Sequence, residues 1–469
     1  MGFIERLPLN ESAGKPNTGH CKRLQNMQMK QKAERIIKTL LQNGFKAYIA
    51  GGAVRDMIAG EIPADFDIVT NAGLNEIQKI FKYENVKKAG KAFTVCVVGK
   101  IEIASCRTCN NTNKADAVFP DADLAKRDFT INSMAFDPLS KRIIDPFSGR
   151  NDLENKIIRF TGDPEDRIME DPVRMIRACR FAAKIKGELA PSSLAAIKKH
   201  KQLICRGLAF ERIRLEILKI MEYSKPSIFF YTLYAAGLLK YILPCLDRCF
   251  DLDGGPHHGE TVFHHCMLAG DALSPKKPLL RLAGYLHDVG KYDAAELKEG
   301  KLTFPGHEKK RERVISDLKK LKLSIREIDY IDSLICVHMR PLAENTTPKA
   351  VRRILALLEE KGISHRDFLR MRIADKRGNL AKSPYTFREI RTRLEKLKAE
   401  LHGSGSPAFT IKNLAITGND IMTILGIPPG PRVGKILEYL FEKVMDNPCL
   451  NNSKTLKQIV ITLDPMALL

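Results

Sequence analysis

The sequence predicts an α+β chain, a small α/β head followed by a mostly helical remainder. Two observations predict it. The apolar runs AYIAGG (47–52), FDIVT (66–70), FTVCVVG (93–99) and KIEIAS (100–105) are short and β-rich, and they read as strands of one small sheet. From about residue 161 the pattern changes: in EDPVRMIRACRFAAKI and ERIRLEILKIM the apolar residues recur at three and four, the period of an amphipathic helix. With 469 residues and 44% hydrophobic content the chain can bury several cores, which excludes a disordered tail-like protein. HGSGSPAF (402–409) and DLDGGPHHGE (251–260) have linker composition, no internal repeat is visible, and residues 1–30 read as a polar, irregular leader in which Met27 or Met29 is an alternative start.

Charge and cysteine usage narrow the function classes. Lys and Arg total 77 against 55 Asp and Glu, a formal +22, which suits a polyanionic partner and makes nucleic acid the leading candidate, with simple solubility as the alternative. The eleven cysteines are scattered and odd in number, and no signal peptide precedes them, so reduced thiols and a cytoplasmic location are expected. Cys106 and Cys109 have CxxC spacing without a second pair, so no zinc site is expected there. No run approaches the roughly 18 apolar residues that a membrane helix needs.

The stretch GGAVRDMIAGEIPADFDIVT (51–70) carries the first candidate chemistry. On a strand, residues two apart share a face, so Asp65 and Asp67 project together while Phe66 turns to the core. Two adjacent carboxylates repel unless a cation lies between them, and Mg2+ is the hard ion that takes oxygen ligands and keeps positions open for phosphate. Gly51 and Gly52 permit close backbone approach to a triphosphate at the start of a helix, and Arg55 adds a cation. A lone DxD is as often a pair of exposed strand residues.

GGxVRD followed by DxD resembles motif A of the class II nucleotidyltransferases, the branch that holds bacterial tRNA CCA-adding enzymes and poly(A) polymerases. KRDFTINSMAFD (126–137), DPFSGRNDL (145–153) and EDPVRMIRACRF (170–181) resemble the following motifs in family order, over roughly residues 31–240. Lys126 stands where the family usually has arginine, which keeps the charge and loses a bidentate fork. The resemblance implies a polymerase-β-like head that transfers a nucleotide from CTP or ATP to an RNA 3′-hydroxyl by a two-metal mechanism. It assigns Asp65 and Asp67 as Mg2+ ligands, Glu102 as a third acidic group, and Gly51, Gly52, Arg55, Arg127, Asp128, Asp171, Arg174 and Arg177 as nucleotide-binding residues. Glu102 is equally readable as an ordinary strand carboxylate, and Arg127 with Asp128 as a surface salt bridge. Asp171 and Arg174, three apart on a helix, would present an acceptor and a donor fork side by side. Cytosine and adenine both carry an exocyclic amino group, so a carboxylate favours them over uracil and guanine. An intrahelical salt bridge is the plainer reading.

A second constellation lies downstream, where seven of the eleven histidines fall between His257 and His338. The runs FHHCM, YLHDVGK, FPGHEKK and CVHMRP resemble an HD domain, a helical metal-dependent phosphohydrolase fold. That resemblance assigns His265, His287, Asp288 and His307 as ligands of a divalent metal that the sequence does not identify, with His338 a weaker candidate and His257 and His264 bystanders. The aspartate that closes the usual H, HD, D pattern is not evident; Asp332 is nearest, and a relic scaffold is the alternative. In the C-terminal part, ITGNDIMTILGIPPGPRVGKILEYL (416–440) reads as helix, Pro-Gly turn and helix opening near Arg432, suited to gripping a tRNA phosphate or simply to packing.

The expected organisation is a leader (1–30), a transferase head (31–160), a neck (161–250), an HD part (251–345) and a tRNA-binding tail (346–469). The partners expected are tRNA, CTP and ATP, and no membrane. The alternatives are a poly(A) polymerase, an HD phosphohydrolase with an RNA-binding head, and a non-enzymatic RNA-binding protein. Between Arg107-Thr108 and Arg127-Asp128 the segment CNNTNKADAVFPDADLAK is short for a full CCA-adding enzyme, so a CC-adding specialist with a separate A-adding partner is expected.

Overall fold

The computed structural model describes residues 18–84, 86–89, 95–106, 119–205, 208–402 and 410–463, with side chains described from residue 26 and not at 88 and 89. The chain divides into two compact units, Met1–His200 and Lys201–Leu469.

The first unit is built on a seven-stranded sheet of β1 (Ala47–Ala50), β2 (Asp67–Thr70), β3 (Lys87–Ala89), β4 (Val95–Val98), β5 (Ile101–Ser105), β6 (Ala135–Asp137) and β7 (Arg142–Ile144), in the order β3-β4-β5-β2-β1-β6-β7. All its pairings are antiparallel except β2 with β5, which run parallel. The four runs expected as strands contain β1, β2, β4 and β5. The strands β3, β6 and β7 have only three residues each, too short to show a period of two against their surroundings.

Helices α1 (Thr18–Gln42), α2 (Gly52–Ile58) and α3 (Leu74–Ile80) belong with one face of this sheet. Ile36, Ile37 and Leu40, Val54, and Ile77 pack there with the inward residues Ile49, Ile68 and Ile103. α1 reaches back into the stretch expected to be an irregular leader, because its apolar positions after residue 30 have this sheet to cover. On the other face a smaller cluster forms from Ala50, Val69, Phe119, Leu124 and Ala135, with Tyr48 and Ala104 against it. The short helices α4 (Asp121–Leu124) and α5 (Gly149–Glu154) precede α6 (Pro164–Glu170), α7 (Val173–Ile185) and α8 (Pro191–His200). Pro164 opens α6, and Asp163 caps it by accepting from the Glu165 and Asp166 amides. Phe129 packs at a tilt against Phe160 at 5.2 Å and edge-on against Phe181 at 5.4 Å, which ties the segment around Arg127 and Asp128 to α7.

The second unit is helical: α9 (Phe210–Ile220), α10 (Ser227–Ala235), α11 (Leu239–Ile242), α12 (Pro244–Asp247), α13 (Val262–Ala272), α14 (Pro278–Leu286), α15 (Glu312–Lys320), α16 (Ile325–Val337), α17 (Pro348–Glu360), α18 (His365–Gly378), α19 (Phe387–His402), α20 (Gly418–Leu425), α21 (Pro431–Asp446) and α22 (Ser453–Thr462). The helical period is interrupted twice after residue 161, by the strand Glu188–Leu189, which pairs with Ile157–Ile158, and by the hairpin Glu296–Lys298/Lys301–Thr303. α20, α21 and α22 share their own core of Ile421, Ile436, Leu440, Leu456 and Val460. The Pro-Gly turn lies between α20, ended by Gly426 in the left-handed region, and α21, opened by Pro431. Of the linker-like segment HGSGSPAF, residues 403–409 lie outside the described residues. Among the described residues no helix is long and apolar enough to cross a membrane, and the nine cysteines whose side chains are described are all free.

Candidate active site

Strand register brings the acidic residues of the head together. Asp67 opens β2 and stands opposite Glu102 of the parallel β5. The alternation that sends Ile68 and Ile103 into the helix-covered core sends Asp67 and Glu102 to the other face, where Val69 and Ala104 continue the row into the smaller cluster. Phe66 is buried in the core as expected, at 1% exposure. Asp65 lies two residues ahead of β2, outside regular structure, and is exposed. Burial, then the charges of Asp65 and Glu102, push the Asp67 carboxyl up to about 6, and Arg127 works against them. Three like charges crowded near the start of two central strands are what a divalent cation would relieve.

Gly51 sits between β1 and α2 with φ of +79°, and its amide donates to the Met134 carbonyl at 3.1 Å. The Gly51 N–H is therefore committed to the fold rather than offered to a triphosphate. Its missing side chain matters instead, because a Cβ there would stand 2.4 Å from Arg127 Nη1. Arg55 departs from expectation. It is buried, with Nε and Nη2 on Asp56 Oδ1 at 2.9 and 2.7 Å and Nη1 on Asn132 Oδ1 at 2.5 Å, so it fastens α2 to the turn Thr130–Asn132. The residue types allowed either role; only the packing of α2 decided it.

Asp128 is a hub. It accepts from the Phe129 amide at 3.0 Å, Asn132 Nδ2 at 3.0 Å, and Arg177 Nε and Nη2 at 3.0 and 2.5 Å. Burial would raise its pKa, but the Arg177 charge and these hydrogen bonds outweigh it and hold the carboxyl below its usual range. Arg127 reaches Asp123 at 3.4 Å. Arg55, Arg177 and Arg180 all place guanidinium carbons within 4.2 to 5.8 Å of the Phe181 ring centre.

Asp171 and Arg174 are not on one helix. Asp171 ends α6 with φ of −157° and ψ of 98°, and α7 begins at Val173. Pro172 causes the break, since the residue before a proline is driven from helical to extended geometry. Asp171 Oδ1 accepts from the Val173 amide at 3.3 Å. Arg174, in the first turn of α7, gives Nη1 to Glu170 Oε2 at 2.6 Å and to the Arg167 carbonyl at 2.9 Å. The ion pair of Arg174 is thus with Glu170, and hydrogen bonds from Arg174 and Arg167 hold the Glu170 carboxyl below its usual range.

In the second unit His265 comes from α13, the His287-Asp288 pair from the end of α14, His307 from a short turn and His338 from the end of α16. Gly290 lets the turn after Asp288 approach His307, whose carbonyl would stand 2.3 Å from a Cβ there. His265 Nε2 lies 3.2 Å from His287 Nε2, 3.4 Å from Asp288 Oδ2 and 3.3 Å from Asp375 Oδ1. The acid that joins these histidines is Asp375 of α18; Asp332 instead pairs with Arg311. The available signal was position, because Asp375 follows the buried Met371 by four and precedes the buried Gly378 by three on one helical stripe. Gly378 presses α18 onto α13, where an added Cβ would stand 3.0 Å from the His265 carbonyl. Glu260 and His258, also missed in the sequence, meet at 2.9 Å, and Glu260 Oε1 is 3.2 Å from His265 Nδ1. Burial pulls the His265 ring down, but hydrogen bonds that it donates to Asp375 and Glu260 raise it to about 10, whereas burial takes His287 down to about 4.

Three family models match the chain: the Poly A polymerase head domain over residues 47–159, the probable RNA and SrmB-binding site of polymerase A over 188–250, and the putative tRNA nucleotidyltransferase domain 2 over 307–460. A CCA-adding enzyme of Levilactobacillus brevis is 28% identical over 436 residues, 90% of this chain and 96% of that protein. A CC-adding tRNA nucleotidyltransferase of Halalkalibacterium halodurans is 37% identical over 208 residues, 44% of this chain and 52% of its own. The Bacillus stearothermophilus CCA-adding enzyme, solved in complex with CTP, shares the fold with a TM-score of 0.65 at 24% identity, over 92% of this chain and 96% of that one. The chain belongs to the nucleotidyltransferase family that holds CCA-adding enzymes and poly(A) polymerases.

Proposed function

We propose that this protein adds CMP, and AMP after it, from CTP and ATP to the 3′ end of tRNA without a template. The observation that carries the reading is the register of Asp67 against Glu102, with Asp65 just ahead, inside the stretch matched as a polymerase head domain. The oxygen-only donor set fits a hard divalent ion, for which Mg2+ is the proposal, with Asp65 and Asp67 as ligands and Glu102 as the third acid. When bound, such ions stabilise the charge that builds on the attacking and departing oxygens. The chain's own residues do the rest. Gly51 leaves room for Arg127 beside the acids, where its cation faces triphosphate, while Arg55 and Asp128 set the positions of α2 and α7. Asp171 offers an acceptor for the amino group of cytosine or adenine, and Arg174 a donor beside it.

The surplus of basic residues supports a nucleic-acid partner. The parts proposed are a head over 31–160, a neck over 161–250, an HD part over 251–345 that Asp375 completes from beyond its end, and a tail over 346–469. A narrower version, addition of the two cytidines alone, is suggested by the short segment between Arg107 and Arg127. Of that segment, residues 107–118 lie outside the described residues. The test is extension of tRNA ending at its discriminator base, with CTP and ATP supplied singly and together. Labelled product ending in CC or CCA supports the proposal and distinguishes its two versions, and ATP-dependent tailing without CMP addition replaces it with poly(A) synthesis.

A further inference from the structure

Two helices of the first unit lead to the two sides of the candidate site. α2 begins next to Gly51, whose missing side chain leaves room for Arg127, and α7 carries Arg174 in its first turn. Their far ends meet at one carboxylate. Asp56 of α2 is buried, and its Oδ1 and Oδ2 lie 3.1 and 3.2 Å from Nζ of Lys184, near the C-terminal end of α7. Neither residue lies among the groups that face nucleotide in the transferase reading.

These two residues close a ring of side-chain contacts. Asp56 Oδ1 accepts from Arg55 Nε and Nη2 at 2.9 and 2.7 Å, and Arg55 Nη1 donates to Asn132 Oδ1 at 2.5 Å. Asn132 Nδ2 donates to Asp128 Oδ1 at 3.0 Å, and Asp128 Oδ2 accepts from Arg177 Nε at 3.0 Å, which returns the path to α7. Lys184 follows Arg177 by two turns on the same helix face, about 10 Å along the axis. The Arg55 guanidinium also lies 5.2 Å from the centre of the Phe181 ring, between those two turns. Every hydrogen bond of the ring has at least one ionised partner, which makes each stronger than a neutral one. A satisfied polar network in a low-dielectric interior is rigid, and opening one link leaves a buried charge without its partner.

We infer that Asp56 and Lys184 are positioning residues for base selection, and that the ring makes the seat of α7 against the base and the seat of α2 beside Arg127 a single setting. The inference rests on the transferase reading given above. α7 starts afresh after the break at Pro172, so it is not carried as a continuation of α6. Pinned at Arg177 alone, it pivots there. Arg174 stands about 4.5 Å to one side of that point and Lys184 about 10 Å to the other, so a slip of about 1 Å at Lys184 moves Arg174 by about half as much. Misplacement by about 1 Å costs on the order of 100-fold in rate, and half of it therefore about tenfold. Lys184 thus acts on the base from the far end of its helix, through Asp56 and not by touching substrate.

The test uses the full chain and tRNA ending at its discriminator base, with steady-state incorporation from CTP and from UTP. Lys184→Met removes the charge from a side chain that is 23% exposed, so the fold tolerates it better than the loss of Asp56. It should lower the CTP-to-UTP ratio of kcat/KM about tenfold, mainly through kcat for CTP, with tRNA retention on a filter unchanged. Lys184→Arg keeps the cation and should restore the ratio, and Asp56→Asn should reproduce the loss. Lys184→Met combined with Asn132→Ala should lose no more than the worse single variant, because both open one ring. A pair that serves only the fold lowers the unfolding temperature and leaves the ratio alone; that result, or additive losses in the double variant, overturns the coupling. A wild type that adds no CMP overturns the transferase reading and the coupling together, whereas CMP addition with a ratio unmoved by Lys184→Met overturns the coupling alone.

Discussion

The head and the second unit each collect three carboxylates, and they surround them differently. In the head, Asp65 and Glu102 are exposed, the donors are all oxygen, and Arg127 is the cation that acts on Asp67. In the second unit, Glu260, Asp288 and Asp375 are enclosed by His258, His265, His287, His307 and His338, with Lys291 2.8 Å from Asp288. An open all-oxygen cluster suits a hard ion that arrives with a triphosphate and leaves with pyrophosphate. An enclosed imidazole and carboxylate nest suits an ion that stays. Similar charge, placed near the start of central strands or among helix ends, thus fits exchangeable or resident metal.

The largest expected effect tests whether the two centres are independent. Asp67→Ala should lower CMP incorporation about 10³-fold, on the order of 4 kcal/mol of barrier, with tRNA retention on a filter unchanged. His287→Ala should leave incorporation within about twofold; a comparable loss from both would join the centres.

Next comes the hub that sets the head. Arg177→Met leaves the Asp128 carboxylate buried without its strongest partner and should cost about 2 kcal/mol in urea unfolding, reduced from a fully buried pair because Arg177 is partly exposed. The Asp128 pKa is depressed in the folded chain, so its contribution is present above the unfolded value near 4 and fades as pH falls through the lower folded value. The gap between wild type and variant should therefore narrow in acid.

Asp171→Ala should relax discrimination against UTP and GTP by about tenfold, roughly 1.4 kcal/mol, in single-nucleotide incorporation assays. An unchanged preference with measurable activity leaves Asp171 with its turn before α7, where it accepts from the Val173 amide, as its only role. The smallest effect sits at Gly51. Gly51→Ala forces an L-residue to φ of +79° and should cost about 1 kcal/mol in thermal unfolding, with a fall in incorporation as Arg127 is displaced.

Much of the head was legible because its signals are local. Asp65, Phe66 and Asp67 alternate within one stretch, and the strand period predicts which of them is buried. Asp171 and Arg174 were misplaced on a common helix although Pro172 was in plain view, since a helical period around a proline hides the break. Asp375 was invisible for a different reason. It lies 87 residues after Asp288, and nothing local marks it apart from its place on an otherwise apolar stripe.

By itself the sequence determined the α+β class, the β1, β2, β4 and β5 cores, the acidic cluster of the head and the histidines from 265 to 307, because periodicity and short motifs act over a few residues. The tertiary structure decided what depends on distant neighbours. It set Glu102 against Asp67 through a parallel pairing, turned Arg55 inward onto Asn132, committed the Gly51 amide to Met134, and carried Asp375 to His265 through the packing of α18 on α13. Each is a choice of partner, and partners far apart in the chain meet only when burial of the faces between them outweighs the entropy of ordering the chain that joins them.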